Sequence, residues 1–399
     1  MNARISALAA AMLIVAPGAS IAQGNPFAGR TLDPATLKPA THASVAGGST
    51  TVSFRPGPRP TVEVWVNGKG PLVFNVEATG GATELSVAAA ERLGIPVRRE
   101  GTNLPVVTLD SLRVGTATMT GITAVGAETL PAEVDGILGL GTLAELLVTF
   151  DPGARTLTLA EGSLPAPNGR DLLPLVSAGP FWNVGRLVGV EIDAGGQRGV
   201  AVLNLQSPSS VTAAPSVAAG VSFAAPPVVA GRVVGPVLGN VERRLGRLAG
   251  DLRVGAYTFQ RPLVNVVPLP PQVPQSWALG AAALRGFVIT FDQKDGVVRL
   301  ARADTSPIPA PPSVRDFGFD VGGPGMSAIT VARVAPGSPA ERAGVQPGDE
   351  LVAADGRAAA QLDGAAWRTL LARTDAVTFR FRRGSAEREL ALHATTLVQ

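Results

Sequence analysis

The chain contains a copy of itself, and that constrains its fold more than any other feature. Residues 137–160, ILGLGTLAELLVTFDPGARTLTLA, lie without a gap over residues 278–301, ALGAAALRGFVITFDQKDGVVRLA, with eight of the 24 positions identical. The identities include Leu138/Leu279, Gly139/Gly280 and Thr149-Phe150-Asp151 against Thr290-Phe291-Asp292. LRVG occurs at 112–115 and again at 252–255. Upstream, VEVWVNGKGPLVFNV (62–76) lies over VGVEIDAGGQRGVAV (188–202), and Gly94 falls on Gly220. The offset grows from 126 to 141, so the second copy has gained residues mid-way, around 222–245.

Each copy follows one plan. Val62, Val64 and Val66 alternate as in a half-buried strand and run into Asn67-Gly68, a pair that closes hairpins. A second strand passes through Phe74-Asn75-Val76 into a Gly-rich loop, and a short helix follows near 86–93. LRVG and its successors give further strands, then come a Leu-Gly turn, a short helix and a closing hairpin. That hairpin turns at Asp151-Pro152-Gly153 in one copy and near Asp295-Gly296 in the other. Asp151 and Asp292 invite reading as a symmetric carboxylate pair. Asp at the start of a turn instead caps its own backbone, and that is the expectation here and at Asp135-Gly136. Gly139-Leu140-Gly141 has no third Gly and no βαβ setting, so it is no dinucleotide fingerprint. With 47 Gly and 34 Pro, short strands and turns are favoured over long helices.

The absence of Cys excludes disulfides, thiolate catalysis and Cys-based metal sites. The two His, His42 and His393, lie far apart in sequence, which argues against a His-rich metal site or a Ser–His triad. No metal or cofactor is expected. A formal charge of +3 is too small and scattered for nucleic acid. Arg98-Arg99, Arg243-Arg244 and Arg382-Arg383 read as solvated surface. Residues 1–22 carry Arg4, a short apolar run and small residues at Ser20 and Ala22, the pattern of a signal peptide cleaved after Ala22. A periplasmic or secreted protein with no integral membrane segment after cleavage is therefore expected. Residues 23–58, rich in Pro, Gly, Ala and Thr, read as a flexible arm.

The duplicated plan resembles a retropepsin-like aspartyl protease domain present twice, on the order of strand, turn, helix and LRVG strand. The hydrophobic-hydrophobic-Gly elements Ile137-Leu138-Gly139 and Ala278-Leu279-Gly280 belong to the same resemblance. It covers roughly 60–303 and implies closed β domains about a pseudo-two-fold axis, where two Asp in Asp-Thr-Gly-Ala motifs share a proton and activate a water. Counting back from Gly94 puts Glu77 at the Asp position; matching Thr79-Gly80 to the family's Thr-Gly puts Ala78 there. In the second copy the same two counts give Leu203 or Asn204. Neither of those can exchange a proton, so the dyad is degenerate and no catalytic residue is assigned. In the first of these registers Ala78 replaces the family's Thr, which hydrogen-bonds across the axis. Glu77 itself reads as a partly exposed charge at a strand end.

After a Pro-rich linker (304–313), Phe317-Gly318-Phe319, SPAERAG, PGDEL and DGR follow in order. Ser338 is an N-cap with Pro339 in the first turn and Glu341 three residues on. Together these motifs resemble a PDZ domain over 314–399. The resemblance implies that the loop Asp316-Phe317-Gly318-Phe319 offers N–H groups to a peptide's terminal carboxylate, and that the peptide adds as a strand beside 319–321, Val321 included. A helix at 363–372 would form the facing wall, with Asp363, Trp367 and Leu370 as groove residues. Asp363 also reads as an N-cap, and Leu370 as core.

The expected architecture is thus mainly β: two tandem acid-protease-like closed domains (59–166 and 167–303), then an α+β PDZ domain. The expected function is an exported pseudo-aspartyl protease that binds peptides or protein C-termini without cleaving them. One alternative is an atypical aspartic endopeptidase using Glu77, with the PDZ module recruiting substrates. Another is an envelope structural or assembly protein.

Overall fold

The computed structural model describes residues 37–57, 59–78, 81–99, 104–131, 133–177, 188–207, 209–235, 239–268, 277–321, 329–362 and 364–399. The expected signal peptide, and with it Thr79, Gly80 and Asp363, lies outside the described residues. The protein is mainly β.

The first repeat is a sheet that closes on itself. Its strands run in the order His42–Val45, Ala117–Ala127, Glu84–Ser86, Gly136–Gly139, Lys69–Glu77, Thr61–Val66, Val106–Val114 and Val97–Arg98. Pairing of Val106–Val114 with Ala117–Ala127 completes the ring. Alternation explains the strands: Val62, Val64 and Val66 point into the core while Glu63 points out. The hairpin turns at Asn67-Gly68, both residues left-handed, with φ of 49° and 74°. The helix Val87–Leu93 starts at Ser86, whose side chain accepts from the Ala89 N–H, and ends at left-handed Gly94.

The second repeat keeps the central order of these strands, with a split strand and an added hairpin among its changes. Ala117–Ala127 is one strand, but its counterpart is split into Tyr257–Phe259 and Leu263–Val266. The break falls at Arg261-Pro262, where Pro has no N–H for the ladder. The extra residues of the second copy build a hairpin, Val228–Gly235 and Gly239–Arg247, which pairs onto the edge of Leu263–Val266.

A third sheet of six strands joins the repeats: Leu172–Pro174, Val297–Ala301, Val288–Asp292, Leu147–Asp151, Thr156–Ala160 and Ser49–Ser53. At its centre Leu147 pairs Asp292, Val148 pairs Phe291 and Thr149 pairs Thr290. Thr149 and Thr290 are the same position of the two copies, so a local two-fold axis passes between them. One continuous apolar core runs through both repeats, and Phe150 and Phe291 meet in it edge to face at 5.9 Å. Asp151 and Asp292 end at opposite edges of this pair and cap their turns: Asp151 accepts from Ala154 N–H and Asp292 from Asp295 N–H.

Two boundaries move. The expected flexible arm at 23–58 contains His42–Val45 and Ser49–Ser53, paired respectively to Ala117–Ala127 and Thr156–Ala160. Gly and Pro content suggested mobility there, but Val45 and Val52 reach the core and the Thr residues suit a half-buried strand. The segment 304–313 also lies against the body: Ile308 exchanges backbone hydrogen bonds with Thr258 and Gln260.

The C-terminal module has its own core. Val314–Asp316 pairs with Thr395–Val398, and Phe319–Val321 with Val331–Val334. A four-stranded sheet holds Arg357–Ala358, Glu350–Ala354, Val377–Arg383 and Ala386–Leu392. The helices are Pro339–Arg342, capped by Ser338, and Gly364–Ala372.

Candidate functional site

Two places gather the candidate residues. The first is where the repeats present equivalent turns. Lys69–Glu77 runs parallel to Gly136–Gly139, with Glu77 opposite Gly139; Gln197–Asn204 runs parallel to Trp277–Gly280, with Asn204 opposite Gly280. Gly139 and Gly280 are equivalent in the duplication, so Glu77 and Asn204 are too. Each Gly is required by close approach. A Cβ on Gly139 would lie 2.3 Å from the Gly81 carbonyl oxygen, and one on Gly280 would lie 2.1 Å from that of Ser209.

This register joins one member from each of the two expected counts. Leu203 corresponds to Val76, and both are buried apolar residues of the core. Ala78, fully buried, corresponds to Leu205. Counting back from Gly220 slips by one because the second copy changes length twice. Glu84 and Thr212 stand opposite the equivalent Ile137 and Ala278. The loop before Thr212 is one residue longer than that before Glu84, and the stretch on to Gly220 is two residues shorter. A one-residue slip exchanges the two faces of a strand, which is why Leu203 was a candidate at all.

Glu77 is not a partly exposed charge: it is 2% exposed, as is Asn204. It ends a strand whose last four residues are all buried, a pattern the sequence hid because Asn75 breaks the apolar run. Asn204 is committed to its own turn, where its Oδ1 accepts from the N–H groups of Gln206 and Ser207, each at 3.1 Å. Gln206 then crosses between repeats, its Nε2 donating to the carbonyl of Val76, the residue before Glu77, at 3.2 Å. Sequence reading missed Gln206; its only signal was a long polar residue in place of a small one.

In the first repeat Glu84, on the strand that pairs along the other side of Gly136–Gly139, is buried, and desolvation pushes its carboxyl up to about 7. The second repeat has Thr212 at that position, so no symmetric acid faces it. Thr83 joins the Thr142 hydroxyl at 2.7 Å and accepts from the Gly139 N–H, tying the loop after Glu77 to the hydrophobic-hydrophobic-Gly element.

The second place is the module's loop Asp316-Phe317-Gly318-Phe319. Phe317 and Phe319 are buried and form an aromatic cluster with Phe379. Trp367, from the helix Gly364–Ala372, meets Phe317 at 6.2 Å and Phe319 at 5.8 Å, so it covers the floor between helix and strand. Leu370 is buried in the module's core, and Val321 is half-buried at the strand's end. Gly318 has a φ of +88°, and a Cβ there would lie 2.0 Å from Ser338 Cβ, so only Gly fits. Its N–H donates to Asp316 Oδ1 at 2.5 Å.

A charged cluster surrounds this loop. Arg333 Nε bonds Asp320 Oδ2 at 2.7 Å. Burial raises the Asp316 carboxyl above its ordinary value; the Asp320 charge raises it further, while the Gly318 N–H, Arg333 and Arg243 oppose. Arg243 comes from the inserted hairpin of the second repeat. It donates to Ala230 O and to Asn265 Oδ1 and is itself lowered by burial. The Arg243-Arg244 pair is therefore not simply solvated surface: Arg244 is exposed and Arg243 is not. Arg383 likewise bonds Asp349. Arg247, 5% exposed, donates to the carbonyls of Arg261, Pro311, Pro312 and Gln399 and so ties the body to both ends of the module.

A family model described as PDZ domain matches residues 330–383. The C-terminal module is a PDZ domain. The module is similar to the HtrA3 PDZ domain, whose crystal structure holds a phage-derived ligand, FGRWV. The two are 25% identical over 21% of this chain and 86% of that one, with a TM-score of 0.19. No curated protein matches the chain. The PDZ domain makes this a peptide- or protein-binding chain. Among the described residues no group of acidic or His side chains could hold a metal, and no helix is long and apolar enough to cross a membrane.

Proposed function

We propose that this is an exported pseudo-aspartyl protease: a retropepsin-like body that has lost its dyad and carries a PDZ domain that binds peptides. The observation that carries the non-catalytic reading is the equivalence of Glu77 with Asn204. An aspartic centre needs two carboxylates sharing one proton, so that one activates a water while the other supplies the proton. A carboxamide neither gives nor takes a proton near neutral pH, and the Asn204 oxygen already accepts two backbone N–H groups. Gln206 supports the same reading, because it supplies the bond across the axis that a Thr makes in the family. The body is then a rigid mount, and the groove beside Phe319–Val321 is the working surface. Export rests on residues 1–22 and takes the chain to the periplasm or the medium.

The test is a cleavage assay on a broad peptide library between pH 3 and 8, run beside a binding assay on the same library. The expected result is no cleavage by wild type, with binding that is lost when residues 314–399 are removed. Cleavage that disappears in Glu77→Gln would replace this reading with the endopeptidase one.

A further inference from the structure

We propose that the groove takes internal extended segments of polypeptide rather than free C-termini, with Asp316 as the residue that decides this. The inference rests on the peptide-binding reading above and narrows its ligand class. A PDZ loop captures a terminal carboxylate with backbone N–H groups, and the central one here belongs to Gly318. That N–H already donates to the carboxylate of Asp316, two residues earlier. The chain supplies its own anion at the position a ligand's terminus would take.

The charges agree. Asp316 and Asp320 are balanced by Arg333, bonded to Asp320, and by Arg243 reaching in from the second repeat. Two acids and two bases leave the cluster neutral with no ligand present. A terminal carboxylate would have to displace Asp316 from Gly318 and would add an uncompensated negative charge in a partly desolvated site, which disfavours it. The interior of a peptide brings no such charge.

Strand addition remains open. Among the described residues Phe319–Val321 pairs on one side only, with Val331–Val334, and Phe319 meets Trp367 of the helix Gly364–Ala372. Main-chain hydrogen bonds along the strand's other edge need no terminus. Trp367 packs against both Phe317 and Phe319 beside that strand.

The experiment is a peptide array in which every sequence is present twice, as free acid and as C-terminal amide, probed with the full chain and with Asp316→Gly and Asp316→Asn. Wild type is expected to bind the two forms with affinities within about threefold, and Asp316→Gly to favour the free acid by tenfold or more. Asp316→Asn, which keeps the acceptor and loses the charge, should fall between. A tenfold or greater loss on amidation in wild type overturns the proposal and leaves peptide binding standing. Indifference to amidation in Asp316→Gly removes Asp316 from the account. No binding of either form by any of the three proteins overturns the peptide-binding reading itself. If Asp316→Gly does not fold, the wild-type and Asp316→Asn arms still decide.

Discussion

The hydroxyls of Thr149 and Thr290 lie 2.9 Å apart across the central strand pair, each the other's counterpart in the duplication. A residue meets its own equivalent only on a symmetry axis, so this hydrogen bond marks the axis of the body. Thr149→Val should leave the Thr290 hydroxyl without its partner in a half-buried place, costing about 1 kcal/mol. The double change to Val should cost less than the sum of the two single ones. A double-mutant cycle by urea denaturation checks this, and strict additivity would show the bond to be unimportant.

Gly139 and Gly280 are the body's tightest contacts with the turns that follow Glu77 and Asn204. Gly139→Ala and Gly280→Ala should each destabilise by roughly 2 kcal/mol or more, since backbone rather than a flexible side chain stands in the way. Gly286→Ala is the control, because its nearest neighbour is the Arg302 side chain at 3.9 Å. It should stay within about 0.5 kcal/mol of wild type in the same melts.

Those two glycines also show how far the sequence could be read. The duplication, the capped helix after Ser86, the turn at Asn67-Gly68 and the PDZ motifs are all local patterns, and each appears where its own chemistry places it. What was not legible depends on separation in sequence. The strands at His42–Val45 and Ser49–Ser53 exist because distant edges receive them. Glu77 is buried by neighbours, not by its own pattern. The pairing of Glu77 with Asn204 was hidden by a loop one residue longer and a following stretch two residues shorter. Only the ladder register, held by Gly139 and Gly280, resolves it.

Glu84 should make the body's stability depend on pH. Its carboxyl is raised from 4.5 to about 7 by burial, so the folded chain holds a proton that the unfolded chain releases. The stabilisation is full below about pH 4.5 and is lost as pH rises through about 7, amounting to about 3 kcal/mol at the alkaline end. Glu84→Gln keeps the shape and removes the titration. Unfolding free energies from pH 4 to 9 should slope downward for wild type, with a flatter slope for the variant. Parallel slopes would assign the dependence to other groups.

Arg247 should decide whether the PDZ domain is fixed to the body or merely tethered. Its guanidinium is nearly inaccessible and gives up solvation, the cause of its lowered pKa, in return for carbonyls from the body, the Pro-rich segment and Gln399. Removing it takes a charged donor away from the carbonyls of Arg261, Pro311, Pro312 and Gln399, which costs about 2 kcal/mol locally. The two cores are separate clusters, so the loss should fall on the contact between them. Arg247→Ala should therefore split a single thermal transition into two and speed proteolysis between 304 and 313, with the repeats still folded by circular dichroism. Arg244→Ala, at an exposed neighbour in the same hairpin, should do neither. If Arg247→Ala melts as one unit and resists the protease as wild type does, the contacts of Ile308 with Thr258 and Gln260 hold the module in place without it.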